Sequence, residues 1–309
     1  MVKTLTEKRP FGQTGFEVSI IGFGTAELGA FTPDQSEGEK ILNEVLDHGV
    51  NLIDTADCYS NAEEIIGKTI AYRRKDYILV TKGGHNVSQS GGGEDWTGQA
   101  LQFGIERSLR RMKTDYVDVL FLHSCSAKYL QRDDLIDSLV NCRKKGLTQF
   151  IGYSGDAEDA QAALEMNVFD CLETSVNICD QQAIDLYLPL ADQEGLGIIA
   201  KRPLANSSWK DPASMDPFYI EYAKPYRQRL QQMNFTPESL DFDGSWVELA
   251  IRFSAWTPGV DCAIVGGRNL DHILEDIELA AKGPLPRNVE QAIRETWKRH
   301  DDGSWKGQP

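Results

Sequence analysis

The most constraining feature of the sequence is an alternation of strand-like and helix-like segments that repeats eight times between Val18 and Ala281. Short apolar runs, such as Gly49–Ile53 and Tyr116–Leu122, alternate with stretches in which apolar residues recur at helical spacing. Strands joined by helices must be parallel, and eight such units in about 270 residues predict a closed (β/α)8 (TIM) barrel of the α/β class. A β-hairpin around Gly12–Gly15 is expected before the first barrel strand, Val18–Phe23, and accessory C-terminal helices after the last unit.

An open, doubly wound sheet is the structural alternative. Such a sheet more often carries a Gly-x-Gly-x-x-Gly turn after its first strand. Here Gly22-Phe-Gly24 is followed by Glu27 at the position of the third glycine, so the fingerprint fails. The sequence shows no linker and no low-complexity tract, which predicts a single domain over residues 1–309.

The net charge and the cysteines indicate which binding partners and which cellular compartment to expect. The formal net charge of −15 (32 basic against 47 acidic residues) makes nucleic-acid binding a poor expectation. No apolar run approaches the roughly 18 residues of a membrane span, so no membrane association is expected. The six cysteines lack metal-binding spacing and indicate free thiols in a reducing compartment, which predicts a cytoplasmic protein. The oligomeric state is not predicted.

Four proton-handling residues follow neighbouring predicted strands: Asp54, Tyr59, Lys82 and His123. In a barrel, the C-terminal strand ends open into one mouth, so these side chains are expected to converge. A nearby ammonium favours ionisation of a phenol and makes it a better proton donor to a developing alkoxide. Lys82 could supply that charge, Asp54 could hold Lys82, and His123 could donate a hydrogen bond to the same oxygen.

These segments resemble one known family. The hairpin-plus-barrel plan is accompanied by Asp-Thr-Ala-x-x-Tyr at Asp54–Tyr59, Val80-Thr-Lys82, Ser108–Asp118 leading to Leu122-His123, and Ile151-Gly-Tyr-Ser154. Together and in this order they resemble the aldo-keto reductases over essentially the whole chain. The resemblance implies reversible, metal-free reduction of a small-molecule aldehyde or ketone by NAD(P)H. It also implies that Tyr59 is the general acid/base, tuned by Lys82 with its partner Asp54, and that His123 orients the carbonyl.

The resemblance also implies a cofactor track. The family usually clamps the nicotinamide amide with Ser-Asn and Gln, where this chain has Ser154-Gly155 and Glu173. A phosphate loop is implied at Lys201, Arg202, Pro203 and Leu204, and a second at Gly266, Gly267 and Arg268. Arg268 could pair with an adenosine 2′-phosphate, which favours NADPH over NADH. The remaining candidate cofactor residues are Gly24 and Thr25 in the first loop, His272, and the adenine-contacting Glu275 and Asp276.

The substrate pocket is expected to involve the loops around this mouth. Candidates are Glu27 after strand one, Trp96 after the glycine-rich loop Gly83–Gly93, and Trp209 in the seventh loop. That loop spans about 40 residues, and a loop of such length in a compact barrel more often serves function.

Two other functions remain open at this point. Lys82 could form a Schiff base, as in lyase barrels of the aldolase type. The Gly155 and Glu173 departures also leave room for a cofactor-binding regulatory protein with little turnover.

Overall fold

A computed structural model describes residues 6–31, 35–85 and 94–308, so most of the predicted glycine-rich loop (residues 86–93) lies outside the described residues. The chain begins with an antiparallel hairpin, β1 (Lys8–Pro10) and β2 (Glu17–Ser19). Its turn buries Phe11 completely, with the ring against Gly197, where an added Cβ would lie 2.6 Å from a ring carbon. The predicted hairpin is therefore present, and its buried residues pack against side chains of the barrel strands.

Eight parallel strands form a closed barrel in chain order, with the last strand paired to the first. This confirms the predicted (β/α)8 fold and the additional N-terminal hairpin. The barrel strands are β3 (Ile21–Gly24), β4 (Leu52–Asp54), β5 (Ile78–Gly83), β6 (Val117–His123), β7 (Thr148–Ser154), β8 (Cys171–Ser175), β9 (Gly197–Lys201) and β10 (Cys262–Gly266).

Helices surround the barrel because their apolar stripes pack on the outer faces of the strands. Among the described residues, no helix is long and apolar enough to cross a membrane. The helices are α1 (Ala26–Phe31), α2 (Gln35–Asp47), α3 (Ala62–Thr69), α4 (Gly98–Met112), α5 (Ala127–Leu130), α6 (Asp133–Lys144), α7 (Ala157–Glu165), α8 (Gln182–Leu186), α9 (Leu188–Gln193), α10 (Pro217–Tyr222), α11 (Lys224–Met233), α12 (Trp246–Ala255), α13 (Leu270–Ala280) and α14 (Arg287–His300).

Several elements differ from the sequence-based expectation. Val18 lies in hairpin strand β2, and the first barrel strand begins only at Ile21. The first loop, expected to be irregular, contains the short helix α1, and the long seventh loop contains α10 and α11. The single helix expected over 180–194 is divided into α8 and α9, because Pro189 starts a new helix at its first turn.

Helices α3 and α4 approach each other at a glycine. A Cβ on Gly67 would lie 2.0 Å from the carbonyl oxygen of Arg111 and 2.8 Å from the Cα of Met112. Because both atoms belong to the backbone, no side-chain movement could relieve the overlap, and α3 would have to separate from α4.

We therefore expect Gly67→Ala to destabilise the fold by about 2 kcal/mol or more, despite the higher helix propensity of alanine. Urea unfolding would measure the difference. Lys68→Ala, at the exposed next position of the same helix, is the control and should change the free energy of unfolding by less than about 0.5 kcal/mol. Equal stability of Gly67→Ala and wild type would contradict the close packing of α3 on α4.

Candidate active site

The segment after β4 is fixed by backbone hydrogen bonds to the neighbouring strand. The amides of Thr55 and Asp57 donate to the carbonyls of Val80 and Lys82 at 2.9 and 3.0 Å. The Asp57 carboxylate is buried against Arg107, at 3.3 Å. These contacts turn the chain so that Tyr59 returns over the end of β5.

The Lys82 ammonium is the centre of the site. Its Nζ donates to Asp54 Oδ1 and Oδ2 at 2.5 and 2.6 Å and to the Thr55 carbonyl at 3.3 Å. Glu173 Oε2 lies 3.3 Å from the same nitrogen. All three charged side chains are almost wholly buried. The predicted Asp54–Lys82 pair is therefore present geometrically, and a second carboxylate lies beside it.

This cluster controls the proton affinities around it. Burial lowers the pKa of Lys82, but the Asp54 and Glu173 carboxylates outweigh that effect, so the pKa rises and the amine stays protonated. Burial and the nearby Glu173 raise the pKa of Asp54 above its ordinary value. Burial also raises the pKa of Tyr59, while the Lys82 ammonium, 5.3 Å from the centroid of the Tyr59 ring, lowers it. Tyr59 is thus a protonated phenol next to a cation.

His123 lies against Tyr59, with 5.6 Å between ring centroids. Burial, followed by the positive charge of Lys82 and by His85, holds the pKa of His123 well below its usual value, so the imidazole is neutral at pH 7. Its Nδ1 is 3.4 Å from Sγ of Cys58, an exposed residue whose thiol pKa is raised to about 11 by partial desolvation and by the nearby Asp57 carboxylate. A protonated Cys58 donating to Nδ1 leaves the ring proton on Nε2, where it can be donated to an oxygen.

A cavity of about 630 Å3 opens at these strand ends. Asp54, Tyr59, His123, Ser154 and Glu173 all line it, but Lys82 is not among its lining residues. A groove of about 830 Å3 continues from it along β10 and α13. The residues lining both are Glu27, Leu204, Ser207, Lys210 and Gly266. Together they form one elongated path, which we call the mouth groove.

The positions of the implied amide clamp are adjacent in the barrel. His123 pairs with Ser154, and Ser154 pairs with Glu173, across β6, β7 and β8. Ser154 Oγ donates to Glu173 Oε1 at 3.2 Å. Among the described residues, none donates a hydrogen bond to Glu173 Oε2. That oxygen is enclosed by protein, and its ionic partner is the Lys82 ammonium at 3.3 Å.

The packing around position 155 explains why this residue is glycine. A Cβ at this position would lie 2.5 Å from the Tyr153 hydroxyl. That hydroxyl is buried and donates to the Cys125 carbonyl at 2.6 Å. An asparagine side chain could fit at position 155 only if the Tyr153 ring moved. The buried Tyr153 therefore accounts for the absence of an amide side chain at this position.

The phosphate loop after β9 is basic but internally paired. Lys201 Nζ lies 2.8 Å from the buried Asp156 carboxylate, and Arg202 Nη1 lies 3.6 Å from it. Arg202 also donates to the Tyr222 hydroxyl, to Ser175 Oγ and to the carbonyl of Gln308. Pro203 and Leu204 line the cavity beside them. The C-terminal tail therefore reaches the mouth and contacts Arg202.

The second implied loop lies along the outer part of the mouth groove. Gly266, Gly267, Arg268, His272, Glu275 and Asp276 all line it. Asn269 caps α13 by accepting from the amides of Asp271 and His272. Burial, with the neighbouring Glu275, raises the pKa of Asp276 to about 7.

The remaining candidates lie in three different settings. Gly24 and Glu27 line the cavity, whereas Thr25 is buried and its hydroxyl donates to the Asp54 carbonyl at 2.9 Å. Trp96 is nearly buried against His85, with 4.5 Å between ring centroids. Trp209 stacks on Trp246 at 5.6 Å and is not among the described residues that line the mouth groove.

Sequence reasoning missed four residues of this site. Lys210 lines both parts of the mouth groove, Asp156 pairs with Lys201 of the implied phosphate loop, and Cys58 and His85 contact His123. Cys58 lay within the motif that drew attention to Tyr59, and that was a usable signal. His85 lies three residues after Lys82, so its position was also a usable signal. Asp156 and Lys210 come from distant segments and carried none.

Comparison with known proteins identifies the family. The model of the Aldo/keto reductase family matches residues 20–298. An uncharacterized oxidoreductase of Bacillus subtilis (strain 168) is 25% identical over 94% of this chain and 97% of its own length. L-galactose dehydrogenase of Arabidopsis thaliana is 30% identical over 65% of this chain and 66% of its own length. A solved aldo-keto reductase from Bacillus halodurans, in its holo form, has a TM-score of 0.79 at 25% identity, covering 94% of this chain and 96% of that one. The chain belongs to the aldo/keto reductase family.

Proposed function

We propose that this oxidoreductase interconverts a carbonyl compound and its alcohol with a nicotinamide cofactor, preferring NADPH, and that Tyr59 is the proton donor and acceptor. The observation that carries the proposal is that Asp54, Tyr59 and His123 line one cavity, while the buried ammonium of Lys82 is held by Asp54 next to the ring of Tyr59. A small-molecule carbonyl substrate follows from this chemistry.

The residues present fit such a cofactor. Glu173 and Ser154 line the inner end of the mouth groove and offer polar groups for a carboxamide. Gly24 and Gly266 lie at the ends of neighbouring strands in the wall of the cavity, where the absence of side chains permits close approach. Lys210 and Arg268 line the outer groove, where phosphate groups would lie. When bound, the cofactor would supply or accept the hydride.

The chain's own residues would handle the proton and orient the substrate. The neutral His123 ring, with its proton on Nε2, would donate a hydrogen bond to the substrate oxygen. Tyr59 would transfer its phenolic proton to that oxygen during reduction and take it back during oxidation. The Lys82 ammonium would stabilise the phenolate, because it is held close by Asp54 and cannot turn away.

The geometry argues against the Schiff-base alternative. A lysine attacks a carbonyl through its neutral amine, which requires a lowered pKa. The surroundings of Lys82 instead raise its pKa, and both of its carboxylate neighbours would lose their counter-charge if it became neutral. Its side chain is also fully buried.

A cofactor-binding protein without turnover is the second alternative. It is motivated by Gly155, which removes one group of the usual amide clamp, and by the carboxylate of Glu173. Against it, Tyr59 and His123 lie close together beside the ammonium of Lys82, and their described side-chain contacts are with other members of this cluster.

Replacing Tyr59 by Phe should separate these functions. We expect kcat for carbonyl reduction to fall by about 10² to 10⁴, because the proton donor is lost. The NADPH dissociation constant should change less than about threefold, because no phosphate contact is removed. Activity would be followed at the nicotinamide absorbance on a panel of aldehydes and ketones, and binding by tryptophan quenching.

Tyr72→Phe is the matched control. Tyr72 is 76% exposed, and its hydroxyl donates to Asn43, which does not line the mouth groove. Unchanged turnover in Tyr59→Phe would show that another group transfers the proton. Binding of NADPH to wild type without turnover on any carbonyl compound would favour the regulatory alternative.

Replacing Arg268 by Ala should reveal the cofactor preference. A charge-assisted contact to a 2′-phosphate predicts that NADPH binding weakens by about tenfold to a hundredfold, while NADH binding changes little. Arg287→Ala, at the exposed start of α14, controls for loss of one positive charge. An equal loss for both cofactors would refute the 2′-phosphate contact.

A further inference from the structure

The carboxylate of Glu173 gives the buried cluster an unbalanced charge. Asp54 and Glu173 contribute two negative charges around the single positive charge of Lys82. The nearby cations Lys201 and Arg202 pair with another carboxylate, Asp156, at 2.8 and 3.6 Å, and their second positive charge remains in the lining of the same cavity, beyond ion-pair distance of Glu173. With both carboxylates ionised, the cluster carries a formal charge of −1 next to the cavity, in surroundings where water cannot screen it well.

Among the described residues, Lys82 is the one cation within ion-pair distance of Glu173. The titratable groups that face Glu173 are Lys82 from β5, Asp54 from β4, Tyr59 from the turn after β4, and Cys262 from β10. Burial raises the pKa of the Cys262 thiol well above its usual value, so it stays neutral. On the two neighbouring strands, the residues in register with Glu173 are Ser154 on β7 and the apolar Ile199 on β9.

We propose that Glu173 makes the site favour the oxidised, cationic nicotinamide over the reduced, neutral one, and so biases the enzyme toward alcohol oxidation. This inference rests on the proposed function. A hydrogen bond from the carboxamide to Glu173 would be the same in both redox states of the cofactor, so that hydrogen bond alone would give no preference. The charge of Glu173 distinguishes the two states because only the oxidised ring supplies the missing positive charge.

The overall reaction stays balanced in either direction. In oxidation, the alcohol carbon gives a hydride to the cofactor, and the alcohol O–H proton passes to Tyr59 and then to solvent. A preference for the oxidised cofactor shifts this equilibrium on the enzyme by the ratio of the two dissociation constants. Glu173 is therefore a positioning and electrostatic residue, and it transfers neither hydride nor proton.

The bias also depends on pH with a defined sign. Burial and the Glu173 charge raise the pKa of Asp54, so a proton enters the cluster more readily than it would enter an isolated aspartate. A bound proton cancels the extra negative charge. The preference for the oxidised cofactor should therefore be full at high pH and decline as pH falls, and binding of the oxidised form should release protons where the cluster titrates.

Replacing Glu173 by Gln tests the inference, because glutamine keeps the shape and removes the charge. NADP+ and NADPH would be titrated separately into the full-length protein by calorimetry at about pH 6 and about pH 9, and the ratio of their dissociation constants compared. At the higher pH, the variant should lose at least about tenfold of the wild-type preference for NADP+. The pH dependence of the ratio should disappear with it.

Glu64→Gln is the matched control, since Glu64 is an exposed acid on α3 paired with Lys68 and should leave the ratio unchanged. An equal change of both affinities in Glu173→Gln would overturn the inference and leave Glu173 as a hydrogen-bonding group only, with the proposed function intact. Failure of wild type to bind either cofactor would overturn the proposed function itself, and the inference with it.

Discussion

The site depends on keeping one ammonium charged in the interior of a barrel. Moving an ion of this kind out of water costs several kcal/mol even in a relaxed protein, so Lys82 requires close and rigid partners. Asp54 supplies them at 2.5 and 2.6 Å, and the Thr55 carbonyl adds a third contact. Residues 54 and 82 lie on neighbouring parallel strands, and closure of the barrel brings Glu173 of β8 to the same ammonium. The fold and the charge state are therefore coupled.

The outward faces of the same strands support this arrangement. Thr81, next to Lys82 in the chain, donates to the buried Glu63, and Glu63 pairs with Arg111 of α4. Asp57 pairs with Arg107 of the same helix. Alternate residues of a strand face opposite sides, so the helix α4 fixes the segment from behind while Lys82 faces the interior. Without the ion pairs of Glu63 and Asp57 with α4, a barrel could still form, but the turn that carries Tyr59 would be less constrained.

The sequence predicted the barrel well because its signal is periodic and repeated. Eight alternations specify parallel strands, and parallel strands bring Asp54, Lys82 and His123 to one mouth without knowledge of any contact. The hairpin was also predicted, although Val18 belongs to its second strand and not to the first barrel strand. Pro189 and the helices of the seventh loop were missed because they interrupt or add to the repeat and are set by local residues and packing. The pairing of Lys201 with Asp156 joins residues 45 positions apart, and no local pattern encodes it.

The register of the barrel explains why one position influences two kinds of chemistry. Glu173 pairs with Ser154, and Ser154 pairs with His123, so all three residues lie in one row across β6, β7 and β8. The same Glu173 side chain reaches Lys82 across the interior. A neutral amide at this position could accept or donate hydrogen bonds at the cavity without changing the charge around Lys82. A carboxylate cannot, because its charge acts on Lys82, Asp54 and the cavity together. The tyrosine that blocks a side chain at Gly155 makes the site depend more heavily on this one residue. Under the proposed function, a single side chain would therefore link cofactor orientation to proton affinity, whereas the usual amide would keep the two separate.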